Sequence, residues 1–228
     1  MTFSIVARAP RTGGAGMEFG LAIASSSPAV AARCAHARSG AGAVATQNIT
    51  DPALGPRALD QLQAGGTAGE ALAVVLNSTP YGEYRQLLAI GRKGSPAAHT
   101  GARALGIHAF TLGTDAAAAG NLLASVGVPA AMLDAFGLAK GTLAARLLQA
   151  LRAGLGAGGE AGPVHSAGLL VVQDVSWPVV DLRVDWDEHD PVGALEKLYA
   201  LYAPQVNDYV GRAINPTRAP SYGVPGDP

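Results

Sequence analysis

Aromatic residues are scarce in this 228-residue chain, at 5%, and charged residues reach only 14%. The core must therefore be built mainly from Ala, Val, Leu and Ile, whose modest size lets layers of structure approach closely. Hydrophobic residues make up 49%, which excludes a disordered chain, since disorder needs low hydrophobicity and high net charge. The 16 basic residues nearly balance the 17 acidic ones, for a net charge of −1. No Lys/Arg stripe occurs, so the electrostatic footprint of a nucleic-acid binder is missing. The one cysteine, Cys34, has no internal disulfide partner, and no Cys/His zinc spacing exists. No apolar run approaches the roughly 20 residues of a membrane helix. The first seven residues lack the basic-then-apolar layout of a secretion signal. The expectation is a cytoplasmic protein without cofactor, metal, nucleic-acid or membrane partner, acting on a small molecule.

What is present reads as one domain of about 204 residues followed by a tail rich in Pro, Asn and Gly. Phe3, Ile5 and Ala7 alternate with Ser4 and Val6, predicting a buried strand. A turn-rich stretch over residues 10–16 leads to a returning strand at 19–25, a hairpin. A further strand is predicted at 40–47. Residues 51–62 carry a helix start, with Pro tolerated in the first turn. Thr67 and Glu70 have the spacing of a capping box for a second helix. Strands follow at 86–91 and 97–100. The alanine-rich run 116–126 is predicted helical, as are 130–136 and 143–153. Residues 154–162 read as a flexible glycine-rich connection. Strands at 169–172 and 179–184 precede a helix at 191–201. The tail, 205–228, is expected to wrap the surface or fray. Grouped strands and grouped helices argue for antiparallel sheet.

Several fragments, in order, resemble one family: TFSIVAR (2–8), LAIAS (21–25), GAVATQ (42–47), GPRAL (55–59), EYRQ (83–86), TG (100–101), GNLL (120–123), SA (166–167), VDLRVD (180–185) and DPV (190–192). Each fragment is weak alone, but the ordered set is specific and resembles the family known as DUF1028. That resemblance implies an α+β fold, the four-layer αββα sandwich of the N-terminal nucleophile hydrolases. It supplies a fold better than a substrate. The chain departs from the pattern at three places. Ala104-Leu105-Gly106-Ile107-His108 stands where a Trp-Ala-Gly-His-like stretch is usual. Ala119 and His165 each stand where a Gln is usual.

On such a fold, removal of Met1 would make Thr2 the first residue. Its hydroxyl would attack an amide carbonyl while its own α-amine, with a pKa of about 7.7–8.0, takes the proton. Ser4 shares a strand face with Thr2 and is a catalytic candidate. Asn121, or backbone N–H groups around Gly120, would supply the oxyanion donors. Thr46, Gln47, Asn48, Arg57 and Thr100 are candidate substrate contacts, Arg57 as a bidentate carboxylate binder. Each has a plainer reading: Thr2 simply begins a strand, Ser4 satisfies a backbone group, Asn121 holds a turn, and Arg57 is structural. Arg85 is expected in a buried ion pair with Asp181 or Asp185.

Other signals point to structure rather than chemistry. The five histidines lack a metal-binding spacing. The polar run 185–190 reads as a loop with Asp190 capping the next helix. Cys34 reads as a buried thiol. Two classes of function remain: an amidohydrolase cleaving a small amide or peptide-like compound, or a non-catalytic small-molecule binding or assembly protein. A homodimer is expected for the fold, with Tyr209, Ile214 and Tyr222 of the tail either contributing to its interface or packing on their own domain.

Overall fold

The first apolar run lies at the centre of the molecule. In the computed structural model, which describes residues 1–11 and 14–224, β1 (Thr2–Pro10) pairs antiparallel with β2 (Met17–Ser25) on one side. Thr12 and Gly13 of the expected hairpin turn lie outside the described residues. The chain then forms α1 (Val30–Cys34), β3 (Ala35–Arg38), β4 (Gly42–Asn48), α2 (Leu54–Gln63), α3 (Ala68–Asn77), β5 (Arg85–Gly91) and β6 (Ala97–Thr100). It continues through β7 (Ala109–Leu112), β8 (Ala116–Asn121), α4 (Val128–Leu138), α5 (Leu143–Gly156), β9 (Ser166–Val172), β10 (Pro178–Val184), α6 (Pro191–Tyr202) and α7 (Val206–Ile214). None of these helices is long and apolar enough to cross a membrane.

Two antiparallel sheets result. One has the order β10-β9-β2-β1-β8-β7, the other β3-β4-β5-β6. Alternation along β1 sorts its side chains. Phe3, Ile5 and Ala7 join an apolar cluster with Met132 of α4 and with Leu147 and Leu151 of α5. Val6, on the opposite face, packs with Ala43, Ala45, Leu88 and Ile90 of the second sheet. A third cluster joins Val44, Leu87 and Ala89 to Leu54, Leu59, Leu72 and Val75 of α2 and α3. Helices thus cover the outer face of each sheet, and the inner faces meet. β1 is buried on both faces, which is why it reads as a nearly continuous apolar run.

The capping signals hold. Thr67 and Glu70 form the reciprocal capping box at the start of α3, and Asp190 Oδ1 accepts from the Gly193 N–H at 2.8 Å. The expected helix at 116–126 does not form: Ala116–Asn121 is strand β8, paired with β1 and β7. Alanine favours helix intrinsically, but here packing decides. Ala116 and Ala118 face the α4–α5 side and Ala117 and Ala119 the second sheet, so small side chains let both layers close on a central strand. Asp115, expected near the start of that helix, instead accepts from Arg8 Nε at 2.8 Å. Residues 225–228 of the expected tail lie outside the described residues, and its first part is ordered rather than frayed. Residues 206–214 form α7, with Val206 and Val210 packed against the larger core and Tyr209 stacked on Tyr202 at 5.7 Å.

Gly101 shows how closely the second sheet's edge is packed. A Cβ there would press into the backbone of Glu83, whose carbonyl oxygen also accepts from the Arg103 N–H at 2.8 Å. Backbone cannot swing aside as a side-chain tip can. We expect Gly101→Ala to destabilise the fold by on the order of 2 kcal/mol, read as a lower denaturant midpoint. An unchanged midpoint would mean that this turn yields freely.

Candidate functional site

The inter-sheet layer changes character along β1. Val6 sits in apolar packing, but Ser4 and Thr2, on the same face, meet polar side chains. Ser4 Oγ donates across the sheets to Gln47 Oε1 at 2.7 Å. Gln47 Nε2 donates to Gln86 Oε1 at 2.8 Å, and Gln86 Nε2 donates to Thr100 Oγ1 and to the Gly120 carbonyl, both at 3.0 Å. Asn121 Nδ2 donates to Gln86 Oε1 at 3.1 Å. Ser4, Gln47, Gln86 and Asn121 are all fully buried.

The direction of this relay is forced. A backbone carbonyl only accepts, so the Gln86 NH2 group must face Gly120. Its oxygen then faces Gln47 and Asn121, whose NH2 groups must point toward it. Gln47 oxygen is left to accept from Ser4. Asn121 Oδ1 remains as a buried acceptor with no protein partner. One of the two Asn121 N–H groups is thus taken by Gln86, while the other is not.

Thr2 ends the same face. Its hydroxyl donates to the Met1 carbonyl, and so does the hydroxyl of Ser25 at the end of β2. The two hydroxyl oxygens are 3.5 Å apart. Beside them lies Glu160, only 4% exposed, both of whose carboxylate oxygens accept from the single Ser26 N–H at 3.1 Å. Burial pushes the Glu160 carboxyl up to about 7, against opposing effects of Ser26, the Met1 amine and His165. Glu160 is held by a backbone bridge to Leu123, while Leu122, with φ +50 in the left-handed region, accepts from the Ala161 N–H at 2.9 Å. His165 stacks on Trp186 at 4.3 Å and donates its backbone N–H to the Ser25 carbonyl at 2.9 Å.

Of the residues singled out from sequence, Thr2, Ser4, Gln47, Thr100 and Asn121 come together here. Three do not. Thr46 faces α2, because residues 45 and 47 take the inner face; its hydroxyl bonds Thr50 Oγ1 and the Asp51 carbonyl, each at 3.2 Å. Asn48, at φ +74, holds a turn by donating to the Tyr84 carbonyl and accepting from the Leu105 N–H. Arg57 Nη2 donates to Ser78 Oγ and ties α2 to the end of α3. Arg85 makes no ion pair with Asp181 or Asp185; it donates to the Ile49 carbonyl, and Asp181 pairs with Arg183 at 2.9 Å. Burial raises the Cys34 thiol, in keeping with a packing role. Sequence reasoning missed Ser25 and Glu160. A lone carboxylate within the glycine-rich run 154–162 was the available signal, but that run is anchored structure rather than a loose linker.

Two antiparallel sheets with helices on their outer faces and a polar end around Thr2 define the class of protein by architecture. The comparisons identify the family. The model of a family of unknown function, DUF1028, matches residues 2–195. The crystal structure of protein SPO2555 from Silicibacter pomeroyi, described as DUF1028, is 34% identical, with a TM-score of 0.80 over 89% of each chain. No curated protein matches. The chain belongs to the DUF1028 family.

Two measurements test this site. Gln86→Leu strands the Gln47 and Asn121 NH2 groups and the Gly120 carbonyl, and should cost on the order of 3 kcal/mol in unfolding free energy; a loss under about 1 kcal/mol would show that water replaces the amide freely. Glu160 tests the electrostatics. Its folded pKa of about 7 lies above its ordinary 4.5, so its contribution to stability is full below pH 4.5 and is lost as pH rises through 7. Glu160→Gln removes that loss. Relative to the parent, the variant should gain on the order of 2 kcal/mol between pH 5 and pH 8 in denaturant titrations. A pH-independent difference would place the carboxylate in a wetter, better-compensated setting.

Proposed function

We propose that this protein is an N-terminal nucleophile-type amidohydrolase, built on the four-layer αββα sandwich of that superfamily. It cleaves a small amide or peptide-like substrate with Thr2 after removal of Met1. The observation that carries the reading is the place of the Thr2 hydroxyl. It stands at the inner end of the central strand, buried between two sheets, and already rests against a carbonyl oxygen.

In the reaction, Thr2 Oγ forms a bond to the substrate carbonyl carbon, and its proton passes to the freed Thr2 α-amine. The tetrahedral oxyanion needs a donor. Ser25 Oγ, which donates to the Met1 carbonyl, is one candidate, and the second N–H of Asn121, whose first N–H is bonded to Gln86, is the other. The C–N bond then breaks, the amine leaves with the proton, and water hydrolyses the resulting Thr2 ester. Ser4, donating to Gln47, acts as a positioning residue that fixes β1 against the second sheet. The location proposed is cytoplasmic and the assembly a homodimer, with the exposed Ile214 and Tyr222 of the C-terminal segment as candidate contacts.

A second reading, a non-catalytic binding or assembly protein, is favoured by one feature: Met1 occupies both hydroxyls and leaves Thr2 only 5% exposed. Intact mass of the protein expressed from its native start, followed by an electrophilic β-lactone probe, separates the two. Loss of one methionine and labelling at Thr2, abolished by Thr2→Ala, supports the hydrolase. A retained Met1 with no labelling transfers the case to the binding protein.

A further inference from the structure

We infer that the space held by Met1 is a subsite for an α-aminoacyl group, a carbonyl flanked by a primary ammonium. In it Ser25 Oγ binds the carbonyl oxygen and the Glu160 carboxylate faces the ammonium. The inference rests on reading the Thr2 end of the inter-sheet layer as a ligand site, and it deepens that reading by naming the chemical class of the ligand.

Met1 is itself an aminoacyl group, joined to the nitrogen of Thr2. Its carbonyl oxygen accepts from both Thr2 Oγ1 and Ser25 Oγ. Its amine makes no ion pair with Glu160 but favours the charged form of that carboxylate, which is held at Ser26, next to Ser25. Its thioether methyl lies 3.5 Å from where a Cβ on Gly162 would stand, ordinary contact distance, so the acyl side chain packs beside residue 162. The residue therefore displays how an aminoacyl group fits this end of the sheets.

Removing Met1 would leave a complementary set of groups behind. Ser25 and Thr2 lose the carbonyl they share. The chain's free amine moves from Met1 to Thr2. Among the described residues neither a Lys, Arg or His side chain nor the Met1 amine lies within ion-pair distance of Glu160, and Ser26 alone serves both of its oxygens. A buried carboxylate so poorly matched favours a cationic partner. Hydroxyl donors and a carboxylate match a carbonyl and an ammonium. The competing partner for Glu160 is the freed Thr2 amine itself, and the test separates them.

Protein is prepared by tag cleavage placed before Thr2, or before Met1, with each start verified by mass; Thr2→Ala in the shorter form prevents turnover. Calorimetry then compares L-methioninamide with N-acetyl-L-methioninamide, which lacks the ammonium. The shorter form should bind the free amine at least about tenfold more tightly, and the Met1-bearing form should bind neither. Glu160→Gln should level the two ligands while retaining a cooperative thermal transition. Equal affinity for both ligands would assign Glu160 to the Thr2 amine and overturn the inference; so would no binding, or binding unaffected by Met1. The ligand comparison needs no Glu160 variant, so a folding defect in that variant leaves it decisive. Selective binding without probe labelling at Thr2 would sink the hydrolase reading and keep the subsite. Labelling at Thr2 without ammonium preference would do the reverse.

Discussion

The Gly120 carbonyl sets the direction of the hydrogen bonds that join the two sheets at their polar end. Because it can only accept, it orients the Gln86 amide, and Gln86 in turn orients Gln47, Asn121 and Ser4. Three fully buried amides are expensive unless each is matched, and a matched relay of this kind is strongest when every member points one way. The relay joins β1 and β8 of one sheet to β4, β5 and β6 of the other. It therefore fixes how the sheets are placed relative to each other, which the interchangeable aliphatic contacts around Val6, Ala43 and Leu88 specify less tightly.

That placement determines what β1 presents. A strand slipped by one residue would send Thr2 and Ser4 to the α4–α5 side and bring Phe3 and Ile5 between the sheets. Ser4, bonded to Gln47, opposes this slip, which would set an apolar side chain against that buried amide. The alanines of β8 belong to the same arrangement. Larger side chains at Ala117 or Ala119 would hold the sheets apart and stretch the bonds from Gln86 to Gly120 and Asn121. Low aromatic content and a short inter-sheet relay are thus two sides of one requirement, close approach.

Much of the framework was legible in the sequence because it is encoded locally. The alternation at 3–7, the Thr67–Glu70 cap and the Asp190 cap each follow from neighbours a few residues apart. The same alternation put Thr2 and Ser4 on one face. It also carried the information that Thr46 must face away from Gln47, had it been applied to β4. The alanine run at 116–121 was misread because its intrinsic preference and its packed environment disagree, and the environment lies in other strands. Glu160 was not legible: its only hydrogen-bond donor, Ser26, is 134 residues away in sequence. The segment around α7 was obscured by its Pro and Gly content, although Val206 and Val210 already carried helical spacing.

The same physics explains why the end of β1 is the place to look for chemistry. With Met1 present, its carbonyl answers the Thr2 and Ser25 hydroxyls and its amine tempers the buried Glu160. Loss of Met1 leaves these groups exposed to whatever enters next, and each buried polar group without a partner costs about 1–3 kcal/mol. Water restores part of that, but water is neutral and cannot offset a carboxylate as a cation does. A ligand carrying both a carbonyl and an ammonium relieves both deficits at once, so selectivity would come from Glu160 having no Lys, Arg or His partner of its own. In this reading the relay from Ser4 to Asn121 keeps the surroundings rigid, and the groups that Met1 had engaged, Ser25 and Glu160, are where binding energy is gained.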